Sequence, residues 1–196
     1  MRKVVFHAQS TLNGRIANTQ GTFWTPFPWG EAESAAFNRH FRAADTWVLG
    51  RVMYEAIVPW WDEVAWGTPP NDAADLSPPD LEFAALQQAM QKVVFSRTLP
   101  DAEDRTVIRR DPAGYLLALK QQPGGPIFLS CGPALLAELA AMPGLIDEYL
   151  LAVHPAVLSE GPRLFDGLSR DLALRLLGAE VFEAGAVLLH YGVEAS

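Results

Sequence analysis

Short apolar runs along this chain alternate with stretches in which apolar residues recur every three or four positions. The runs predict buried strands at residues 4–6, 46–49, 92–96, 106–108 and 126–130. The periodic stretches predict helices over residues 31–44, 51–58, 80–90, 112–121 and 133–142. Strands that alternate with helices are typical of an α/β fold with a mostly parallel central sheet, flanked by helices on both faces.

The C-terminal part of the chain has a different pattern. After a strand-like stretch at residues 148–158, two further strand-like runs, 172–182 and 186–193, flank the Glu183-Ala184-Gly185 turn. A short turn with glycine between two such runs predicts an antiparallel hairpin. We expect this C-terminal hairpin at one edge of the sheet.

Prolines divide the middle of the chain. Pro59 is expected to end the second helix, because proline lacks the amide hydrogen and its ring clashes with the preceding turn. Residues 59–80, with five prolines and three tryptophans, then form the longest irregular segment. A loop of that length is usually a lid, a partner surface or an insertion. Asp80 is the predicted N-cap of the next helix.

Length and composition bound the class of protein. The chain has 196 residues, 49% of them apolar and 19% charged, which predicts one folded domain over residues 1–196 and excludes global disorder. With 15 basic and 23 acidic residues, the formal net charge is −8. An acidic chain repels phosphate polyanions, so we expect no nucleic-acid partner, although a local basic site is compatible with this balance.

Cysteine and histidine usage argues against several other classes. Cys131 is the single cysteine and there are four histidines, so the sequence predicts no disulfide and no metal site, and a cytoplasmic location. The residues after Met1 turn polar too early for a signal peptide, and no run approaches the roughly 18 apolar residues of a membrane span. We expect no association with a membrane.

Three predicted strands end in residues suited to binding an anion. Gly50 and Arg51 follow the second strand, Ser96 and Arg97 the third, and Gly132 with its following proline the fifth. In open α/β sheets, ligands bind beyond the carboxyl ends of strands, where backbone N–H groups at helix N-termini attract phosphate. Each segment alone also fits a plain turn or helix start. Their shared context favours a site for the phosphates of a dinucleotide.

Five stretches of sequence occur in the same order as in a known family. They are Thr11-Leu12-Asn13-Gly14-Arg15-Ile16-Ala17, Leu49-Gly50-Arg51 with Tyr54-Glu55, Val94-Phe95-Ser96-Arg97-Thr98-Leu99, Gly132-Pro133 and Gly144-Leu145-Ile146-Asp147-Glu148. Together they resemble the dihydrofolate-reductase-like superfamily, and within it the RibD C-terminal domain family, the reductase domain of the riboflavin-pathway deaminase/reductase. The resemblance covers residues 4–193 and implies an NADPH-dependent reductase of a small heterocycle.

The resemblance also implies cofactor roles for individual residues. Gly50 and Arg51 correspond to the segment that meets the cofactor phosphates, and Ser96 and Arg97 to the pair that receives the 2′-phosphate of NADPH. Cys131 and Gly132 stand where the family has a glycine pair before the pyrophosphate helix. Because a guanidinium binds phosphate through two parallel charge-assisted bonds, NADPH is favoured over NADH.

The same resemblance places Ala8 and Ile16 along the nicotinamide slot. Glu33 is the candidate catalytic acid, since it lies on the helix where dihydrofolate reductases carry theirs. An exposed glutamate on a helix surface is the competing interpretation, and Glu31 near the helix start fits a favourable interaction with the helix dipole. Cys131 fits a small buried filler better than a nucleophile.

The aromatic residues in the proline-rich segments have two interpretations. Trp24, Trp29, Trp60 and Trp61 could stack on a planar substrate or could fix their loops to the core. Residues 59–67 and the C-terminal hairpin could also bury a dimer interface, and we expect a homodimer.

Departures from the family pattern leave the substrate open. Asn13 replaces an aspartate, and Glu160 adds a carboxylate near the substrate end, which would repel a substrate phosphate. The sequence therefore supports a reductase resembling 5-amino-6-(5-phosphoribosylamino)uracil reductase, a dihydrofolate or pteridine reductase, or a protein that binds NADPH without turnover. The zinc motif of the companion deaminase is missing, because one cysteine cannot supply it.

Overall fold

The computed structural model describes residues 1–21, 27, 29–71, 73 and 75–194. It contains an eight-stranded sheet in the order β4-β3-β2-β5-β1-β6-β8-β7. The strands are β1 (Val4–Thr11), β2 (Thr46–Gly50), β3 (Gln91–Phe95), β4 (Thr106–Ile108), β5 (Ile127–Ser130), β6 (Glu148–His154), β7 (Leu174–Val181) and β8 (Val187–Val193).

Helices connect most of these strands. They are α1 (Glu31–Phe41), α2 (Arg51–Ala65), α3 (Pro78–Ala89), α4 (Pro112–Lys120) and α5 (Pro133–Ala140). In the part of the chain that the structure describes, no helix is both long and apolar enough to cross a lipid bilayer.

The predicted fold class is confirmed. Strands β1 to β6 pair in parallel, and β8 runs antiparallel between β6 and β7, which forms the C-terminal hairpin at one edge. The pairing of β7 with β8 shifts register between Leu176 and Gly178, a bulge of the kind that bends edge strands.

Apolar side chains fill both faces of the sheet. One core cluster combines Val4 and Phe6 of β1 with residues of α4 and α5, and the other combines Val5 of β1 with residues of α1 and α2. Alternate residues of a strand point to opposite faces, so the near-continuous apolar runs predicted as buried strands supply both clusters. The two faces of β1 therefore belong to two different halves of the core.

The expectation that Pro59 ends the second helix is wrong. Helix α2 continues past Pro59 to Ala65. An internal proline costs a helix roughly 3 kcal/mol, because one hydrogen bond is lost and the ring crowds the preceding turn. Here Val58 belongs to the core cluster on the α1 side and Val64 is also buried, so apolar burial on both sides of the proline favours a continuous helix. The irregular segment is correspondingly shorter than predicted.

The N-cap of α3 is Ser77, not the predicted Asp80. Asp80 lies three residues after this cap. Its carboxylate accepts a hydrogen bond from the Ser77 backbone N–H at 3.0 Å. The Ser77 hydroxyl in turn accepts one from the Asp80 backbone N–H at 3.4 Å. This reciprocal arrangement is a capping box. Asp80, the acid predicted from sequence, marks the correct helix start, but it is the third residue of the helix and not the N-cap.

Candidate functional site

Strand β1 is paired with β5 over only the first part of its own length, because β5 is short. In the described chain their pairing ends at Phe6 and Leu129, whereas β1 stays paired with β6 as far as Thr11. Strand β5 meanwhile remains paired with β2 to its last residue, Ser130. The sheet therefore opens between β1 and β5 from residue 7 onward.

The opening leaves the middle of a central strand incompletely covered. His7, Ala8 and Gln9 are all partly exposed, since β5 ends at Ser130 and is paired with β1 only before this stretch. The backbone N–H and C=O groups of this stretch that point toward β5 have no hydrogen-bond partner in that strand. Buried backbone groups of this kind require a hydrogen-bond partner. We call this opening the slot; it can admit a flat ligand that carries hydrogen-bonding groups.

Two helices begin beside the slot. Gly50 is the N-cap of α2 and Gly132 the N-cap of α5, and neither helix has a side-chain hydrogen bond at its cap. The chain continues from α2 to β3, on one side of the sheet centre, and from α5 to β6, on the other side. The strand order therefore reverses between the starts of these two helices. Ligands bind at such points in open α/β sheets, and free N–H groups there attract anions.

Close packing shapes the surface between these two helix starts. A Cβ atom added to Gly50 would lie 3.4 Å from the Cβ of Cys131, whereas one added to Gly132 would meet no heavy atom within 4 Å. Gly132 thus borders open space, and the region fits the approach of a phosphate group. Burial raises the pKa of the Cys131 thiol, which agrees with its interpretation as a buried filler.

The arginines predicted to meet phosphate differ in availability. Arg51 forms an ion pair with Glu55 at 2.6 Å on the surface of α2, so its charge is already partly compensated. Arg97 is exposed and makes no ion pair or hydrogen bond within the described residues. Of the two, Arg97 is the cation with an unused charge.

The structure adds Arg110, which the sequence prediction missed. Phe95 pairs with Ile108 in parallel register, so Arg97 and Arg110, two residues further along, follow neighbouring strand ends. Arg110 is exposed and, like Arg97, unpaired in the described part of the chain. In the sequence, Arg110 is only a cation that follows a predicted strand. The pairing of β3 with β4 places it at the strand end next to that of Arg97.

The hydroxyl of Ser96 has a local structural use. It accepts hydrogen bonds from the backbone N–H groups of Thr98 at 3.2 Å and Leu99 at 2.9 Å. These bonds hold the turn that presents Arg97, as serine side chains commonly do in turns. The hydroxyl hydrogen remains able to donate to a ligand.

The loop after β1 is fixed against the segment after β6. The Arg15 guanidinium donates to the carbonyl oxygens of Leu158 at 2.9 Å, Ser159 at 2.8 Å, and Gly161. The backbone N–H of Ile16 donates to Pro162 at 3.0 Å. Ile16 and Ala8 both pack beside the core cluster that contains Cys131. The two residues predicted to line the nicotinamide slot therefore lie on the α5 side of the sheet.

Asn13, which replaces an aspartate of the family pattern, also fastens this loop. Its side-chain N–H donates to the Leu158 carbonyl at 2.8 Å, and its side-chain oxygen accepts from the Thr11 hydroxyl at 2.7 Å. An asparagine can both donate and accept, whereas an ionised aspartate can only accept. The substitution is thus explained by loop structure.

Glu33 lies on the opposite, α1 side of the sheet. It is only 3% exposed, and its Oε1 atom has no hydrogen-bond partner within the described chain. The competing interpretation, an exposed glutamate on a helix surface, is wrong. A Cβ atom added to Gly30 would lie 2.8 Å from Oε2 of Glu33, so a glycine at position 30 leaves the space that the carboxylate occupies.

An aromatic cluster lies next to Glu33. The His7 ring centre is 3.9 Å from that of Phe37, which is one helical turn beyond Glu33, and Phe37 contacts Trp29 at 5.7 Å. The ring of His154, at the end of β6, packs against Trp29 at 5.8 Å. The cluster therefore extends from the slot to the end of β6.

His7 is a partly exposed residue whose two ring nitrogens are both buried. Neither Nδ1 nor Nε2 has a hydrogen-bond partner in the described chain. Desolvation by burial, with a smaller contribution from the charge of His40, lowers the pKa of His7 to about 3. The imidazole is neutral at physiological pH and can both donate and accept a hydrogen bond.

The tryptophans predicted as stacking candidates separate into groups. Trp60 and Trp61 contact each other at 4.7 Å, and Trp61 packs on Phe83 at 5.0 Å, so these two residues join α2 to α3. Trp29 belongs to the cluster beside Glu33, where its indole N–H donates to Ser34 at 2.9 Å. Trp24 lies outside the described residues.

The candidate residues thus form two groups on either side of the slot. Ala8, Ile16, Gly50, Cys131 and Gly132 lie on the side of α5 or at the strand ends beside it. Glu33 and the aromatic cluster lie on the side of α1. A ligand that enters from the α5 side can present one end, through the slot, to a second ligand on the α1 side.

A comparison with family models identifies the chain's relatives. The model of the RibD C-terminal domain matches residues 2–188. The chain belongs to the RibD C-terminal domain family. Among curated proteins, a relative of this family member is the uncharacterised protein YyaP of Bacillus subtilis strain 168, which is 27% identical over 97% of this chain and 94% of its own.

Solved structures agree with this membership of the RibD C-terminal domain family. A protein from Shewanella sp. PV-4, assigned provisionally to riboflavin biosynthesis, superposes with a TM-score of 0.72 at 17% identity, covering 100% of both chains. Dihydrofolate reductase from Enterococcus faecalis, complexed with NADP(H) and RAB-propyl, gives a TM-score of 0.61 at 15% identity, covering 98% of this chain and 97% of its own. The dihydrofolate-reductase-like fold is therefore shown.

Proposed function

We propose that the protein is an NADPH-dependent reductase that transfers hydride to a small planar heterocycle. Membership of the RibD C-terminal domain family, with structural likeness to a riboflavin-biosynthesis protein and to a dihydrofolate reductase, supports an oxidoreductase of the riboflavin-pathway type. The single observation that carries the proposal is the parting of β1 from β5 after Phe6 and Leu129, which connects the two groups of candidate residues.

The α5 side fits a dinucleotide. Its pyrophosphate would lie over the uncapped N-termini of α2 and α5, where the open space at Gly132 permits close approach. Arg97 and Arg110 would receive the 2′-phosphate, since both are exposed and have no other ionic partner in the described chain. NADH lacks that phosphate, which favours NADPH.

The slot fits the nicotinamide end of the cofactor. The backbone of residues 7–9 offers hydrogen-bonding groups that have no partner in β5, and a carboxamide carries both a donor and an acceptor for them. Ala8 and Ile16 supply apolar walls. When bound, the cofactor supplies the hydride, and the protein supplies orientation, dryness and a proton.

Glu33 is the proposed source of the proton. Its carboxyl is buried, lies on the α1 side of the sheet, and has one oxygen without a hydrogen bond to any residue that the structure describes. A general acid must lie within hydrogen-bond reach of the atom that it protonates, and a substrate between Glu33 and the slot would meet this condition. The Phe37 and Trp29 rings beside it can cover the substrate and exclude water.

Two substrate classes are compatible with this arrangement. The pyrimidine of riboflavin synthesis is the family analogue, and reduction of dihydrofolate or another pteridine is the second candidate. The second is favoured by the buried carboxylate of Glu33, whose Oε1 has no hydrogen-bond partner in the described residues, because heterocycles with adjacent ring and exocyclic N–H groups can bond to a carboxylate.

Titration of the protein with NADPH and NADH tests the proposal. Tryptophan fluorescence reports binding, and nicotinamide absorbance reports oxidation when pyrimidines, pteridines and simple carbonyl compounds are added in turn. We expect tighter binding of NADPH and its oxidation by at least one heterocycle. Binding without oxidation across the panel would favour a non-catalytic NADPH-binding protein, and failure to bind either nucleotide would sink the proposal.

A further inference from the structure

The last turn of α1 contacts the C-terminal hairpin through two side chains. Arg39 forms an ion pair with Glu180 of β7 at 2.5 Å. The ring of His40 meets that of His190 of β8 edge to face, with the ring centres 5.4 Å apart. We call these two residues the histidine pair. Both are half-buried, so each can exchange protons with solvent while it touches the other.

Strand pairing fixes the place of His190 in the sheet. It is paired with Leu150 of β6, which is paired with His7 of β1, so the three side chains lie in one row on the face that α1 covers. On its outer side, His190 is paired with Gly178 of β7. A Cβ atom added to Gly178 would meet no heavy atom within 4 Å, so this position leaves the outer side of His190 open.

Charged and titratable groups face His40 from its own helix and from four strands. Glu148 accepts from His190 at 2.8 Å and pairs with Lys3 at 2.5 Å, so its charge is shared between two partners. The groups that act on His40, or on which His40 acts, are Arg39 of α1, His7 of β1, Glu148 of β6, Glu180 of β7 and His190 of β8.

These surroundings oppose a proton on His40. Burial, followed by the charges of His190 and Arg39, lowers the pKa of His40, and the smaller effects of Glu180 and Glu148 do not cancel this. If α1 and the hairpin separate, His40 becomes exposed and its pKa returns to the ordinary value of 6.5. Protonation is therefore linked to separation. The contact is favoured above pH 6.5 and is weakened progressively as the pH falls below that value.

The contacts that join α1 to α3 respond differently to pH. Arg42 pairs with Glu82 of α3 at 2.7 Å, and the arginine holds the pKa of that carboxyl below its ordinary value. The side-chain amide of Asn38 donates to the Pro79 carbonyl oxygen at 2.7 Å, and neither of these groups titrates. We therefore expect α1 to stay attached to α3 when its contact with the hairpin weakens.

We propose that the histidine pair is a pH-sensitive latch, which holds the last turn of α1 against the hairpin near neutral pH and releases it when both rings carry a proton. Two like charges in contact repel each other, and the exposed ion pair between Arg39 and Glu180 opposes this only weakly. The first turn of α1 and the turn between β7 and β8 line a cleft of about 540 Å³, which release would widen. The inference does not depend on the proposed reductase activity, because it concerns only the contact between α1 and the hairpin.

Nuclear magnetic resonance of the histidine rings tests whether the two rings are coupled. The ring signals of the four histidines are assigned by substitution and followed from about pH 5 to pH 8. We expect the midpoint of His40 to lie below 6.5 and to rise by about half a pH unit in His190→Gln, because a neighbouring charge is removed. An unchanged midpoint in this variant would contradict the coupling.

Spin labels measure the separation itself. Ala43→Cys, just after α1, and Val181→Cys, on β7, place labels at exposed positions, while Cys131 is buried and does not react. We expect one label-to-label distance at about pH 7.5. As the pH falls, a second and longer distance should appear, and its share should grow with the midpoint of the His40 titration. In His40→Gln, which cannot gain a charge, the distances should not change with pH.

Arg42→Gln is the matched control for the labelled protein. It removes a cation from the same end of α1, but on the side that faces α3, so the pH dependence of the distances should be kept. A single distance over the whole pH range in the parent protein, or the same change in His40→Gln as in the parent, would overturn the latch. Because no measurement here involves NADPH, the latch and the proposed reductase can fail separately.

Discussion

The ammonium of Lys120 lies 2.7 Å from Oδ2 of Asp147, at a point where the lysine side chain is only 2% exposed. The same ammonium donates to the carbonyl oxygens of Gly144 at 2.7 Å and Leu145 at 3.1 Å. Asp147 Oδ2 also accepts from the backbone N–H of Val4 at 2.7 Å. The family motif at residues 144–148 thus joins α4 to the start of β1.

Removal of this lysine should destabilise the fold strongly. In Lys120→Met, two carbonyls and a carboxylate lose their donor while the aliphatic volume is kept. We expect the free energy of unfolding to fall by about 3 kcal/mol, the scale for breaking a buried charged contact. Urea denaturation at neutral pH measures the change.

Lys3→Met is the matched control. Lys3 pairs with Glu148 at 2.5 Å, but its side chain is 64% exposed, and exposed pairs contribute at most about 1 kcal/mol. Equal losses in the two variants would contradict the structural importance given to Lys120.

A side chain that fills the open space at Gly132 should weaken NADPH binding and leave the stability of the fold nearly unchanged. A methyl group there meets no heavy atom within 4 Å, and φ is −75°, which alanine readily adopts. For Gly132→Ala we expect less than about 1 kcal/mol of change in unfolding free energy. NADPH affinity should fall about tenfold or more, equivalent to about 1.4 kcal/mol, because the methyl obstructs the phosphate. Fluorescence titration and thermal melting separate the two effects.

Gly178→Ala controls for the substitution itself. An added methyl at Gly178 also meets nothing within 4 Å, but this residue lies on β7 at the far edge of the sheet. If both variants bind NADPH like the parent protein, the phosphate does not lie over α5.

Arg97 should discriminate between the two nicotinamide cofactors. Its loss in Arg97→Ala removes a charge-assisted bond to the 2′-phosphate, which is worth roughly 1.5 to 3 kcal/mol. NADH affinity should be nearly unchanged. Arg110→Ala should weaken NADPH in the same direction, and Arg175→Ala, an exposed arginine on β7, should not. Equal losses for NADPH and NADH would remove the 2′-phosphate assignment.

Glu33 should affect turnover more than cofactor binding. Glu33→Gln keeps the size of the side chain but cannot supply a carboxyl proton, so kcat should fall roughly 100-fold or more. NADPH affinity should stay within about twofold, because Glu33 lies on the α1 side of the slot. Steady-state kinetics and direct NADPH titration provide the two measurements, with Glu63→Gln as control. Unchanged kcat would show that another group donates the proton.

His7 should make stability depend on pH. Its pKa of about 3 in the folded chain lies below the ordinary value of 6.5, so between these values the unfolded chain binds a proton that the folded chain does not. Stability therefore rises with pH across this window by up to about 1.4 kcal/mol per pH unit, and is fully present above 6.5.

The slope can be assigned to this residue by substitution. His7→Leu should flatten the pH dependence of urea unfolding between about pH 4.5 and 6.5. Burial also lowers the pKa of His40, so some slope should persist in the variant. A slope identical to that of the parent protein would mean that the His7 imidazole is not responsible.

Local patterns predicted the fold well. The helix starts at Pro112 and Pro133 are correct to the residue, because proline at the first helical position is a local signal. Pro59 shows where such signals fail. Helix α2 continues past it with Val58 and Val64 both buried, and this burial depends on tertiary packing that the local sequence does not encode.

The sequence predicted the positions of the glycines in the candidate site better than the surroundings of its charged residues. Gly50 and Gly132 mark helix starts in sequence and in structure. The sequence predicts Arg51 as a phosphate ligand, but in the structure Arg51 forms an ion pair with Glu55. This pair forms because residues four apart lie side by side on a helix. The Arg97–Arg110 relationship could not be predicted, because it follows from the pairing of β3 with β4.

The short junction between β1 and β5 has a mechanical consequence. Strands β4, β3, β2 and β5 form one part of the sheet and β1, β6, β8 and β7 the other, and in the described chain the strands of the two parts pair with each other only in the register from Val4 to Phe6. A small tilt at such a narrow joint becomes a larger change of width further along the slot. We therefore expect substitutions at Phe6 or Leu129, which lie at the end of the junction and touch neither proposed ligand, to alter how tightly both are held.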